Sequence, residues 1–488
     1  MISSYVDGVP TLRIPAPGPV RACLRFGVGA RDETYSTLGV GRAVAALATI
    51  GCPTGQVAPD ISAGLDETRF SVSGSLEDVG ACLKNLCLAL SGLPVDRFGE
   101  ATDEPDFGGA GTFDPRVAAA LNARYGSQAE GLPGHVDVLL RPPAAESVLR
   151  HAATWFTRTN AVLTWIGPEP AGLRLPLPQG PTPHRTAPQA RHSRASWTHR
   201  NINGVALSVE MPAQSAAASA AHRILRARVA AALPAGQSGP AETESVTTVH
   251  DSATLVRLLL APASAADAHN VAATLWSQAL FLADKEPTSA EVAHHGAPTR
   301  ESAQPTLATF DAAARAVLFD TPHPRNALNS EPDGPRPAPE AVTPAHVRAA
   351  WRQALQGAQL VVPPGLLLDF AAPDGRRLWC TSCWTWDESA PWGRTFREPP
   401  LKRAVRRSAR TQWAVLTDES LVSCRPGAHH ELRFDDVLAL ERHGSDRALI
   451  GICGCTIGIS PSWYRGGQQL VRAIDNAVSA DLTFDCAD

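Results

Sequence analysis

Several groups of residues in this sequence have types and spacings that could do chemistry. Cys380-x-x-Cys383 has the spacing of a metal-ligand pair, and Cys453-x-Cys455 could supply a second pair to a structural zinc. Trp379, Trp384 and Trp386 surround the first pair and argue instead for a packed segment. A redox reading of Cys380 and Cys383 lacks the strand-to-helix pattern that should precede such a motif. His429-His430-Glu431 falls at an expected turn before a strand, where paired histidines are exposed, and no partner follows at helical spacing. His294-His295 sits similarly in a Pro-rich connection. The run KRAVRRSAR gathers Lys402, Arg403, Arg406, Arg407 and Arg410, which suit contact with an anionic partner or simply a solvated linker helix. Neither G-x-x-x-x-G-K-S/T nor G-x-S-x-G occurs, so nucleotide-binding and serine-hydrolase readings lack support.

The 488 residues suffice for about two to four domains. With 44% hydrophobic and 19% charged residues, large cores can be buried. A formal charge of -4 provides no basic field for nucleic acid. Lys84, Lys285 and Lys402 are the only lysines; together with abundant Ala and Pro, this usage fits a GC-rich bacterial coding sequence. The opening MISSYVDGVPTLRIPAPGP lacks the basic and apolar regions of a secretory signal, and no run of about 18 apolar residues predicts a membrane span. Ten cysteines in a chain of this kind imply a reducing, cytoplasmic setting rather than a disulfide framework.

Periodicity places the elements that would position any site. Val20, Ala22, Leu24, Phe26 and Val28 share one face of a strand, while 39–50, Ala-rich and apolar on nearly every side, reads as a buried helix. A strand over 68–74, helices over 76–90 and 144–155 and a strand over 161–166 complete an α+β unit. Pro-rich sequence over 168–189 reads as an interdomain linker. The programme then restarts: a strand at 203–211, a helix at 216–233, strands within 245–261, helices at 267–284 and 343–355, and a strand at 359–363. Short strands at 413–424, 431–442 and 448–460 and an amphipathic helix at 467–478 form a small β-rich end.

Taken in order, these segments resemble the pitrilysin/insulinase family of zinc peptidases over roughly residues 1–370. The resemblance is carried by the strand 20–28 followed by GARDE (29–33), the Gly39 helix start, ISAGLDETRFSVS, LEDVGACLKNLCLALSGLP, RYGSQAEGLPG and WFTRTNAVLTWIGP, with a second unit like the family's non-catalytic repeat. It implies two homologous pitrilysin-type α+β units, 1–168 and 201–370, joined by a linker at 169–200. A connecting segment at 371–412 then leads to a β-rich domain at 413–488. WAVLTDESLV, FDDVLALERHG and QQLVRAIDNAV in that last domain resemble a pleckstrin-homology-like module.

In active members of the family, the first helix carries H-x-x-E-H: two histidines bind Zn²⁺ and the Glu activates its water. Alignment on Gly39-Val40-Gly41 puts Arg42, Ala45 and Ala46 at those positions, and none of them can ligate zinc or move a proton. Glu100 or Glu104 falls near the third-ligand position. The substrate-holding Arg of the second repeat maps to Arg226 or Arg228 in HRILRARVAAALP, with no Tyr nearby. The resemblance therefore implies a chain that does not hydrolyse peptides by itself, shaping substrate for an active pitrilysin-type partner in a heterodimer. An adaptor built on the inactive shell, and a peptidase with a relocated metal, are the alternatives.

Overall fold

The structure, a computed structural model, describes residues 1–52, 57–102, 114–134, 143–169, 172–181, 183, 185, 189–213, 215–233, 243–249, 254–296, 307–319, 341–385, 392–399 and 412–486. The first unit runs β1 (Ile2–Val6), β2 (Val9–Ile14), β3 (Val20–Phe26), α1 (Val40–Ile50), β4 (Asp60–Ala63), β5 (Thr68–Gly74), α2 (Leu76–Ser91), α3 (Phe98–Thr102), α4 (Pro115–Tyr125), α5 (Ala145–Trp155) and β6 (Ala161–Ile166). Its six strands lie in the order β1-β2-β6-β3-β5-β4, antiparallel except for the β2–β6 pair. The period-two pattern of β3 puts Val20, Ala22, Leu24 and Phe26 into one core with Leu163 and Trp165 of β6, Leu47 of α1, Leu83 of α2 and Val148 of α5. Leu175 and Leu177, from the Pro-rich stretch, are buried in the same core.

The second unit repeats the plan. It comprises β7 (Ser196–His199), β8 (Val205–Pro212), α6 (Ala216–Ala232), β9 (Glu244–Val249), β10 (Thr254–Ala261), α7 (Ala268–Asp284), α8 (Ser289–Gly296), α9 (Leu307–Phe319), α10 (Pro344–Gln356), β11 (Gln359–Val362) and β12 (Trp379–Cys380). The order β12-β7-β11-β8-β10-β9 repeats the first sheet over five strands, with the β7–β11 pair parallel like β2–β6; the outermost strand differs, β12 following β11 in sequence and running parallel to β7 where β1 is antiparallel to β2. Thus α6, α7 and α10 stand where α1, α2 and α5 stand in the first unit. β7 comes from the stretch expected as linker and β12 from the expected connection, because β7 pairs with β11 and β12 pairs with β7 to complete the second sheet.

Each sheet has a second face, and the units cover these faces reciprocally. Leu121, Ala123 and Tyr125 of α4, a first-unit helix, pack on Ala206, Val256, Leu258 and Leu260 of the second sheet. α9 of the second unit puts Phe310, Ala314 and Val317 against Leu12 and Val162 of the first sheet. This explains β10: Leu259 and Ala261 face the helices of their own unit while Val256, Leu258 and Leu260 face α4, so 258–261 is apolar on both faces.

The C-terminal part contains β13 (Trp384–Thr385), β14 (Arg394–Arg397), β15 (Trp413–Leu416), β16 (Ser420–Arg425), β17 (Ala428–Arg433), β18 (Val437–His443), β19 (Asp446–Gly451), β20 (Thr456–Ile459), α11 (Gly467–Ala477) and β21 (Thr483–Cys486). They form a five-stranded sheet, β13-β17-β16-β15-β14, and a four-stranded sheet, β20-β19-β18-β21. Leu470, Val471 and Ile474 lie on one stripe of α11 and bury against Leu421, Leu432, Leu440 and Leu449. No helix among the described residues is long and apolar enough to cross a membrane.

Candidate functional site

The start of α1 is assembled by GARDE. Glu33 turns back so that Oε2 accepts the Gly39 N–H at 2.6 Å and Oε1 accepts the Gly41 N–H at 2.8 Å. These are amides that a helix start leaves without intrahelical partners. Burial pushes the Glu33 carboxyl up to about 8, against the two backbone bonds and the Arg42 guanidinium, which pull it down. His151 of α5 faces the same turn: its Nε2 would lie 3.5 Å from a Cβ placed on Gly41. That nitrogen is buried with no hydrogen-bond partner among the described residues, and burial holds the imidazole down at about 4, so it is neutral. Both Glu33 oxygens are occupied by the helix start, so this arrangement holds α1 in place; it presents no free base.

Beside α1 runs the sheet edge. β4 pairs with β5 on one side, and no described strand pairs with the other. The turn joining β4 to β5 is locked by ions: Arg31 meets Asp66 at 3.2 Å and Glu130 at 3.1 Å. Arg315 of α9 meets Asp66 at 2.8 Å and Glu67 at 3.1 Å, and Arg25 pairs with Asp311. Arg185 adds a bond to Asp32 of GARDE at 2.6 Å. A cavity of about 560 Å³ opens next to this edge, lined by Arg21, Arg25, Asp60, Ser71, Thr164 and Phe310. The site is thus a fixed sheet edge and a polar groove, with α1 alongside.

No family model and no curated protein matches the sequence. Solved structures do. The peptidase M16 inactive domain from Pseudomonas fluorescens superposes with a TM-score of 0.54 at 14% identity, covering 76% of this chain and 99% of that one. Pitrilysin gives 0.51 at 12% identity over 75% of this chain and 45% of its own, and the periplasmic protease PqqL from Escherichia coli gives 0.50 at 13% over 91% and 56%. The chain has the fold of the M16 peptidases.

The three positions of α1 at which the resemblance implies a zinc motif offer no ligand atom for that ion. Ala45 has no exposed surface and is part of the core, Ala46 packs against that core, and Arg42 is a half-buried cation. Glu100 is exposed and accepts bonds at 3.0 and 2.6 Å from Arg97, while Glu104 lies outside the described residues. Among the described residues, two groups of His, Cys and carboxylate side chains are spaced for a metal: Cys383 with His430 and Cys455, and Glu441 with His443 and Cys486. Neither is on α1.

The substrate-holding candidates sit on α6, the counterpart of α1. Arg226 donates from Nε to the Thr243 carbonyl at 2.9 Å, and Arg228 makes a two-pronged bond to Glu291 at 2.7 and 3.0 Å. Lys402, Arg403, Arg406, Arg407 and Arg410 lie outside the described residues. His294 and His295 stack edge to face at 4.6 Å near the end of α8. The expectation for His429 and His430 needs correction: they are 8% and 3% exposed, because β17 is an inner strand between β13 and β16. Cys380 and Cys383 also part company. Cys380 pairs into the second sheet through β12, and Cys383 joins the cysteines of the β19–β20 turn. Glu33, His151 and Arg124 were not singled out from sequence; GARDE itself was the signal for Glu33.

Proposed function

We propose that this chain is the non-catalytic, substrate-shaping subunit of a two-chain M16-type zinc peptidase. The observation that carries the reading is the contrast between α1 and β4. The helix has alanines where zinc chemistry needs donors, yet the adjacent edge strand has no partner on its outer side among the described residues and is braced by Arg31, Asp66, Glu67 and Arg315. An extended peptide can add to such an edge through main-chain hydrogen bonds, with the groove receiving alternate side chains. Arg21, exposed in that groove, suits a carboxylate-bearing side chain, while Arg25 is already paired with Asp311. All ten cysteines are free thiols, which supports a reducing, cytoplasmic setting.

The C-terminal unit, with two sheets around α11, supports a pleckstrin-homology-like reading and hence the adaptor as the second possibility. One experiment separates them: affinity capture of the tagged full chain from its own cells, followed by peptide assays on what is recovered. The subunit reading expects an M16-type chain with intact H-x-x-E-H, and peptide cleavage only by the pair. Capture of unrelated proteins alone moves the adaptor to first place. Zinc-dependent cleavage by the purified chain alone overturns both.

A further inference from the structure

Three segments bring sulfur and imidazole together. Cys383 enters from the connection leaving the second sheet, His430 from β17, and Cys453 and Cys455 from the turn between β19 and β20. One ligand atom from each of Cys383, His430 and Cys455 lies within 4.8 Å of the other two. The Cys453 sulfur adds a fourth, 3.1 Å from that of Cys383 and 2.7 Å from that of Cys455. All of these thiols are free. His430 is 3% exposed, and its Nε2 is buried with no hydrogen-bond partner among the described residues. An orphaned imidazole nitrogen beside two thiols, with a third thiol in contact with both of them, is a donor set lacking an acceptor of electron pairs.

The surroundings are built to the same end. Gly454 adopts φ of 81°, and its N–H bonds the Gly451 carbonyl at 2.8 Å while the Gly451 N–H bonds the Cys455 carbonyl at 2.8 Å. This tight turn brings the two cysteines of Cys-Gly-Cys back together. Arg200 places Nη2 2.8 Å from the Cys453 carbonyl, which sets a buried guanidinium at the edge of the cluster. His430 is held opposite Trp384 in the β13–β17 ladder, their rings 5.3 Å apart.

We propose that Cys383, His430, Cys453 and Cys455 form a tetrahedral Cys₃His site for a divalent d¹⁰ cation, zinc in the cell. Soft thiolates with one imidazole select that ion, and four protein donors leave no open position, so the site is structural. Three thiolates and one neutral imidazole around Zn²⁺ carry one net negative charge, which Arg200 offsets. Ligands about 2.3 Å from zinc stand about 3.8 Å apart, so loading spreads the sulfurs by roughly 1 Å. A disulfide would use two of the thiols and leave His430 without a role. The ion ties three parts of the chain at one point, because the same turn docks on the first unit through the Ser127 N–H and the Ile452 carbonyl at 2.8 Å.

The test uses the full chain, reduced and free of histidine tags. Elemental analysis should find about one zinc per chain, and cobalt loaded after chelation should show the sulfur-to-metal charge-transfer and visible bands of a tetrahedral thiolate site. Cys383→Ser and Cys455→Ser should weaken retention against a chelator by roughly 10- to 100-fold or more, and His430→Gln should also weaken it. Cys380→Ser should keep the ion. Should a variant fold poorly, the wild-type cobalt spectrum decides. Three results overturn the proposal: no metal taken up by the reduced wild-type chain, an oxygen-ligated cobalt spectrum, or undiminished zinc in the Cys383→Ser/Cys455→Ser double variant.

Discussion

Arg124 offers the sharpest test of how the two units hold together. At 1% exposure it projects from the last turn of α4 into the second unit. There Nε donates to Ser208 Oγ at 3.2 Å, and Nη2 donates to the Ser208 carbonyl at 2.6 Å and the Gly357 carbonyl at 3.0 Å. Arg124→Met keeps most of the aliphatic bulk and removes every donor. Three bonds from a charged donor are worth about 1.5–3 kcal/mol each. The guanidinium also regains several kcal/mol of hydration in the unfolded chain that the native state had forfeited. The difference leaves a net loss of about 3 kcal/mol, or roughly 100-fold in a local opening equilibrium. Glu210, about one-third exposed, keeps its bond from Tyr125 at 2.8 Å and adds little to the loss. Amide hydrogen exchange is the assay, because a chain of several units need not unfold in two states. Exchange should accelerate about 100-fold over 115–125 and 205–212 while the core around Leu47 and Leu83 keeps its protection. Less than a twofold change, or an equal loss everywhere, would refute the clamp.

Ala45→Glu puts an unpaired carboxylate into the core and should cost about 3–5 kcal/mol, read as a lowered denaturation midpoint; a neutral outcome would mean that this face of α1 still opens to solvent. Folding takes up a proton at Glu33, so its contribution is whole below the ordinary carboxyl value of 4.5 and is lost as pH climbs to about 8. Glu33→Gln cannot titrate, so wild type should lose roughly 3–5 kcal/mol relative to the variant across that window, and parallel stability curves would sink the idea. Phe310→Asp removes the 3% exposed ring that seats α9 on the first sheet, at a cost of about 3–5 kcal/mol. Limited proteolysis within 307–319 should accelerate, and unchanged cleavage would show that the ion pairs of Arg315 and Asp311 suffice.

Much of the architecture was legible because it is local. The alternation of Val20, Ala22, Leu24 and Phe26 and the stripe of Leu470, Val471 and Ile474 each encode which face is buried. Two further signals are local: Asp7-Gly8, both at positive φ (48° and 85°) in the β1–β2 turn, and Asp114-Pro115, which caps α4. Other features are not local at all. The small residues of α4 make sense only against Val256 and Leu258 of the other unit. β7, four residues long after a Pro-rich stretch, is a strand because β11 and β12 flank it. The metal-ligand spacing of Cys380 and Cys383 was visible, but Cys383 finds its partner 70 residues away at Cys453, and His430 enters through strand pairing.

The turn after β19 also sets a clock for synthesis. Ser127, just past the end of α4, bonds through Oγ to the Gly451 carbonyl across a sequence separation of 324 residues. At roughly 5–20 residues per second, the ribosome takes about 16 to 65 s to make that partner after α4 has emerged. During that time Gly126 and Asn122 stand uncovered, at the helix through which the first repeat grips the second. The last part of the chain to be translated therefore completes a joint begun near its first quarter, and chaperones meet the nascent protein with that joint still open.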